Sequence, residues 1–497
     1  MTYLITLAAI VFLYGPSLKY GFFQDDFLHL VSTQISSWSE FLSFFSDNQA
    51  IYYRPLGIQL VYLIQQSLFG ANPVRFHIFS LLIHIINSFL VGSLIYKISK
   101  NSWVAKLSTF LYATSAIHFI SLFWLAETNL LLGALMVFVN LHALFWFVKK
   151  PTNKTIFISL SLFIIGLLFH ELVIIAPLMI IMLNHLLRLK LFQKPLSKVY
   201  SIGFVLITCL YLLLRLVILP IPISGTYAIH LGRDNISSLI WYGMWSLNMP
   251  EEFKYQMILS KLQFQPKFFE NFSSQVIIWI SGILTLLTTC LYGIIRLSRP
   301  KRSLLLLGSC WFIIGLSLFL LLPLHQYPMY ALVGLPGLIL ILAIAIPKRP
   351  FFTILLLLAW LIPSFTTLRF AEKTHWTVQE AKLVKNIFTE IKKRYPNLPK
   401  NSALSLKDKY QVKQALADQN GVQFLYNDDS LETYFGKLDD FLPHICKFFV
   451  DDRERDIEKA KQEIKEEENL KIVIAEIIKK AGQEIHQCAI ENDIYPL

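Results

Sequence analysis

Charge is what this chain has least of. Asp, Glu, Lys and Arg make up 16% of its 497 residues, against roughly 25% in an ordinary soluble domain. With 55% hydrophobic residues and a mean hydropathy of +0.53, that shortage excludes a soluble globular protein and implies a polytopic membrane protein. Acids are scarcest of all early on. Residues 1–368 hold 24 Lys and Arg against 10 Asp and Glu, whereas residues 369–497 hold 21 against 23. The net charge of +12 is therefore no nucleic-acid signature. It divides into a basic membrane domain, 1–368, and a near-neutral soluble domain, 369–497, and no nucleic-acid partner is expected.

Other absences narrow the class further. Only five cysteines occur. Cys209, Cys290 and Cys310 fall in apolar segments as expected core residues, while Cys446 and Cys488 lie in the tail and could pair if it is outside the cytosol. None has metal-ligand spacing. The membrane domain contains no Asp-x-Asp pair, which argues against a tightly held metal and leaves dependence on a divalent ion open; no other cofactor is expected. There is no 34-residue period, hence no helical repeat array. The first apolar segment lacks a small-residue cleavage site, so it is expected to stay as an anchor.

What is present is a series of long apolar runs, at about 2–18, 74–96, 103–117, 129–148, 155–169, 172–187, 199–219, 276–295, 303–322, 329–346 and 351–368. Several fall short of the ~20 residues of a typical span, but together they predict about eleven transmembrane helices. Lys and Arg set the orientation. Sixteen of them, from Lys97 to Arg349, crowd five short loops, and seven are spread over two long loops on the other side. The crowded loops are expected to be cytoplasmic. The long loops 19–73 and 220–275, and the tail, then face outward at the cell membrane. All ten acids before residue 369 fall on that outward side, a placement that topogenesis does not demand and a carboxylate reaction centre would.

Within the first long loop, Asp25 and Asp26 stand in tandem among aromatics, directly after the first apolar segment. An ionised group near hydrocarbon costs on the order of 2.5–3.5 kcal/mol at a helix centre, so the pair marks a candidate site. Adjacent residues point in different directions, so one is expected to face the chemistry while the other caps or orients it. Further along, Trp38, Phe41, Leu42 and Phe45 share one helical face, and Leu60, Leu63, Ile64 and Leu68 share another. Both predict helices lying along the membrane surface. The apolar stretch Ile236–Met249 is too short to span and is expected to be re-entrant or interfacial. Asn235-Ile-Ser and Asn271-Phe-Ser are formal glycosylation sequons. In the tail, Val384, Ile387, Phe388 and Ile391 predict a helix. Ala403–Leu406 and Val422–Tyr426 predict strands, and the charged stretch 451–480 predicts another helix, which makes a small α/β domain.

These residues carry a family resemblance. The first span followed by Gly-Phe-Phe-Gln-Asp25-Asp26 resembles the first loop of the GT-C membrane glycosyltransferases. Tyr53-Arg54-Pro55-Leu56, Asn72-Pro73-Val-Arg-Phe-His77 and Leu82-Ile-His84-Ile-Ile-Asn87 look like that group's next stretch. Ala116-Ile-His118, Trp124-Leu-Ala-Glu127 and Leu168-Phe-His170-Glu171 are similar to its third-to-sixth span region. The likeness is nearest to the transmembrane part of the tetratricopeptide-containing protein O-mannosyltransferases and their bacterial relatives, and covers about 20–185. Two departures stand out: the tail is not a repeat array, and Leu324-His325-Gln326-Tyr327-Pro328 lacks the arginine that relatives often carry before the tyrosine.

The resemblance implies an all-α membrane domain that transfers a sugar from a polyprenyl-phosphate carrier to a protein, lipid or glycan acceptor on the extracytoplasmic face, in a bed of membrane lipids. An acceptor hydroxyl needs a general base, worth about 10²–10⁴ in rate, and Asp25 is the first choice with Asp26 the second. The phosphate needs cationic or hydrogen-bonding partners. Arg54 offers a planar fork, and Arg215, His325 and Tyr327 are further candidates. Glu127, His170 and Glu171 are expected to support the site. A multi-pass transporter or lipid flippase is the competing expectation. Transporters put ionisable residues near the midplane and often show inverted repeats, whereas here the acids cluster at one face and the halves do not match. A non-catalytic scaffold would leave the aspartate pair unexplained.

Overall fold

The computed structural model describes residues 2–46, 52–189, 191, 195–219, 225–258, 263–297, 299–400, 402–406, 412–435, 472–479 and 484–491. The chain divides into two compact units. One takes in Met1–Lys19, Ser37–Val61 and Val74–His375, and the other Tyr20–Ser36, Tyr62–Pro73 and Trp376–Leu497.

The first unit is helical. The apolar runs of the sequence are helical, and among the described residues six helices are long and apolar enough to cross a membrane: Pro73–Ser99, Leu125–Lys149, Pro195–Ile218, Phe268–Ile295, Arg302–Leu320 and Pro350–Arg394, the last of which continues from the first unit into the second at Trp376. Tyr3–Lys19, Asn153–Phe169, Glu171–Leu187 and Leu335–Ala345 are apolar but shorter. Their ends are set by local chemistry. Asn101 accepts from Trp103 N–H and Val104 N–H to start one helix, and Thr152 with Thr155 forms a reciprocal cap that starts another.

Polar residues in these helices are used for packing. On Pro73–Ser99, His77, Ser80, His84, Asn87 and Ser88 fall at helical spacing and are fully buried. His77 Nδ1 lies 3.0 Å from the Leu122 carbonyl and His84 Nε2 3.1 Å from that of Ala113, and Asn87 Nδ2 donates to Leu131 at 2.9 Å. Such bonds satisfy groups that would be costly if left alone in a low-dielectric core. The stretch around Ile236–Met249 becomes the helix Arg233–Ser246, with Trp241 and Trp245 buried. Asn235 is committed to structure: its Oδ1 accepts from Gly232 N–H at 2.6 Å and its Nδ2 donates to His230 and Leu320. Cys209, expected in the core, is exposed on its helix, whereas Cys290 is buried.

The second unit combines helices with a sheet. Trp376–Arg394 is the expected helix, with Val384, Ile387 and Ile391 buried. Tyr62 and Gln65 turn inward on Val61–Phe69, while Ile64 and Leu68 remain 46% and 66% exposed. The sheet has the order Glu432–Phe435, Ser402–Leu406, Glu484–Glu491, Ile472–Lys479. Its first two pairings are parallel and the last antiparallel.

Two expectations are corrected here. Val422–Tyr426 is not a strand but belongs to the helix Asn420–Tyr426, which ends on Asn427 in the left-handed conformation, a common helix stop. Ile472–Lys479 is not helical but a strand. Its β-branched run Ile-Val-Ile-Ala-Glu-Ile-Ile suits a pleated surface, and it pairs with Glu484–Glu491 along its whole length. The rest of the expected charged helix, 451–471, and Cys446 lie outside the described residues.

Candidate functional site

In the second unit the aspartate pair opens the helix Asp25–Ser32. Asp26 is fully buried and its carboxylate accepts from Phe23 N–H at 3.0 Å and Tyr62 O–H at 3.1 Å. Charge-assisted bonds of this kind hold a carboxylate in one orientation. Asp25, one residue earlier, is exposed, and among the described residues its carboxylate accepts no hydrogen bond. The protein around it nevertheless strips enough water from the carboxyl to raise its pKa above the usual carboxylate range. The turn that carries both is anchored from behind by Phe27, whose ring lies 5.4 Å from those of Phe388 and Phe424.

In the first unit the remaining candidates gather. Arg54 starts a short π-helical stretch, Pro55–Leu60, and is only 9% exposed. Its Nε donates to Glu171 Oε2 at 2.7 Å and its Nη2 to Glu171 Oε1, a forked pair, while Nη1 donates to Asn129 Oδ1 at 2.9 Å. The guanidinium also lies 4.4 Å from the centre of the Tyr52 ring. Burial opposes the charge on Arg54, but Glu171 outweighs it and holds the pKa above the ordinary value. Burial likewise raises Glu171, and Arg54 overrides it and holds the carboxyl well below the usual range. Glu127 stands within electrostatic range of Arg54 and Tyr52.

His170 does not join that pair as a cation. Leu172 N–H donates to its Nδ1 at 3.0 Å, so that nitrogen carries a lone pair. Burial and then Arg54 bring its pKa down to about 3. His325 is neutral for similar reasons, its pKa lowered to about 4 by burial, Lys254 and Arg54. Its Nε2 lies 2.8 Å from the Tyr330 hydroxyl, and its ring sits 4.3 Å from Tyr227 and 5.1 Å from Tyr327. Tyr227 hydrogen-bonds in turn to Tyr52. Arg215 is 5% exposed and near Tyr53 and Tyr211, and Tyr211 is also near Arg54 and Glu171. Among the described residues Arg215 has no carboxylate partner.

Arg54, Arg215, His325, Tyr327, Glu127, His170 and Glu171 are thus linked through tyrosines in one unit, and Asp25 and Asp26 belong to the other. The sequence did not point to Asn129, Tyr52 or Tyr227 around Arg54, nor to Tyr62 and Glu380 around the aspartates. Tyr52 stands two positions before Arg54, so proximity in sequence is the signal that marks it. Glu380 lies 356 positions from Gln24, to which it bonds, and no local pattern marks it. A second buried pair, His375 Nε2 and Glu251 Oε2 at 3.1 Å, was also unmarked. Among the described residues no three His, Cys, Asp or Glu side chains come together as a metal-ligand set. No protein-family model and no curated protein matches the chain.

Proposed function

We propose that this chain is a membrane glycosyltransferase of about eleven spans. It transfers a sugar from a polyprenyl-phosphate carrier to a protein, lipid or glycan acceptor on the extracytoplasmic face, with inversion at the anomeric carbon. The observation that carries the reading is the state of Asp25: an exposed carboxylate that accepts no hydrogen bond among the described residues, and whose raised pKa makes it a stronger base than a free aspartate. In the proposed step the acceptor hydroxyl gives its proton to Asp25 as its oxygen bonds to the anomeric carbon. The bond from that carbon to the phosphate oxygen breaks on the opposite side, and the polyprenyl phosphate leaves with the electron pair. Asp26, bonded to Phe23 and Tyr62, orients the pair. Within the first unit, Arg215, a buried cation with no carboxylate partner among the described residues, suits a phosphate group, and Arg54 adds its charge.

The test is transfer by purified protein in detergent. A polyprenyl-phosphate sugar should support turnover, and the matching nucleotide sugar alone should not. Asp25→Asn keeps the shape and should cost about 10²-fold or more in rate while leaving the melting temperature near that of the parent. Full turnover by Asp25→Asn would remove that residue as the base, and turnover on a nucleotide sugar without lipid would overturn the donor class.

A further inference from the structure

Gln24 occupies a place where a side chain is rarely found. Its φ is 50° and its ψ −129°, the first central position of a II′-type turn closed by Asp26 N–H donating to the Phe23 carbonyl at 3.2 Å. Glycine normally takes that position. Strained backbone of this kind persists only where its surroundings enforce it, and here they do. Gln24 N–H donates to the Ala415 carbonyl at 2.7 Å, and its own carbonyl accepts from Phe27 N–H at 2.9 Å. Its side-chain Nε2 donates to a carboxylate oxygen of Glu380.

Glu380 is 8% exposed on the helix Trp376–Arg394. Among the described residues no cation pairs with it. Asp25 lies within electrostatic range of it. A buried acid whose partner is a neutral amide and whose neighbour is another acid is costly to keep, and its bond to Gln24 ties it to the turn that precedes Asp25.

We infer that Glu380 is a positioning residue for Asp25: bonded to Gln24, it holds the turn that presents the Asp25 carboxylate. The inference rests on the reading of Asp25 as the general base. Burial raises the Glu380 carboxyl to about 7, with Asp25 adding to the rise. The other titratable groups of the surrounding elements are occupied or face away. Asp26 bonds to Tyr62, and His29 packs on the Tyr62 ring at 5.2 Å. Tyr426 donates to the Tyr395 carbonyl at 2.5 Å, Lys413 pairs with Asp418 at 3.1 Å, and Lys382 and Lys385 are exposed.

Glu380→Gln keeps an acceptor for Gln24 and removes the charge, whereas Gln24→Ala keeps the charge and removes the link. Glu380→Ala and Gln24→Ala both break the link and should each lose at least tenfold in turnover with KM for the donor and melting temperature little changed, an order expected for a misplaced base, whereas Glu380→Gln should recover most of the loss seen in Glu380→Ala. Full turnover in Gln24→Ala, or no recovery in Glu380→Gln, overturns the inference. Asp25→Asn separates the two ideas. If it turns over normally the base assignment fails, while labelling of Asp25 by a carbodiimide in folded Gln24→Ala, compared with the parent, still reports whether the link places that carboxyl.

Discussion

Arg54 and Glu171 make each other tolerable. A buried guanidinium without its acid is an uncompensated charge, and removing one member of a wholly buried pair costs about 3–5 kcal/mol. Glu171 keeps 35% of its side chain exposed, which screens part of the interaction. Glu171→Gln is therefore expected to cost about 1–3 kcal/mol, read as a drop in melting temperature in detergent. The pH dependence has a definite sign. Glu171 is held below its unfolded value, so its contribution is complete above the ordinary carboxylate range of about 4.3 and is lost as pH falls through the depressed value. The wild-type protein should lose melting temperature on acidification where Glu171→Gln loses less. If the two curves run parallel, the pair contributes nothing. Both residues were legible as candidates, Arg54 for its fork and Glu171 beside His170. Their mutual bond was not, because 117 positions separate them and only the fold closes that distance.

Helices in this protein approach one another through glycine. A Cβ on Gly308 would stand 2.6 Å from the Gly337 carbonyl oxygen and one on Gly315 2.5 Å from the Gly334 backbone, so the helices Arg299–Leu320 and Leu335–Ala345 meet backbone to backbone. Small residues at such a contact are what hold helices together where the surroundings are as apolar as leucine. Gly308→Leu should force them apart at a cost of about 1–3 kcal/mol or more, visible as a lower melting temperature, whereas Gly243→Ala, with open space around it, should cost far less. A similar loss in both would argue against close packing at Gly308. At this scale the sequence was informative wherever an apolar run was long, because a helix is the ready way to satisfy the backbone there. It misled where runs were short. Val422–Tyr426 and Ile472–Lys479 are both short apolar segments, and what separates them is a left-handed Asn427 that stops a helix in one case, and a β-branched run paired with the neighbouring strand Glu484–Glu491 in the other.

For the molecule as a whole, the asymmetry of Lys and Arg is the strongest statement the sequence makes, and on the proposed topology it has a direct test. A single cysteine placed after Lys149 and another in the tail should differ toward a membrane-impermeant thiol reagent in intact cells, with only the tail position labelled. Equal labelling would overturn both the eleven-span count and the outward face. The membership of the second unit was not legible. Tyr20–Ser36 and Tyr62–Pro73 group with Trp376–Leu497 across more than 300 residues of intervening chain, and no local periodicity announces such a grouping.

The helix Pro195–Ile218 buries only 17% of its apolar window. Its first half is fixed by Tyr200, whose ring stacks on Phe147 at 4.3 Å, and by Phe204, 4.8 Å from Phe163. Beyond them Leu210, Leu213, Leu216 and Val217 lie bare, and Tyr211 and Arg215 are the buried side chains on that end. On the proposed topology the bare face of this half meets lipid, which adds to the hold of Tyr211 and Arg215. Delipidation should then act on it first. Amide exchange across 210–218 should rise in short-chain detergent well before the rest of the first unit loosens, and return when phospholipid is added back. On the proposed reading, donor use would fade and recover on the same titration, which makes bilayer composition a regulator of this enzyme through one helix end.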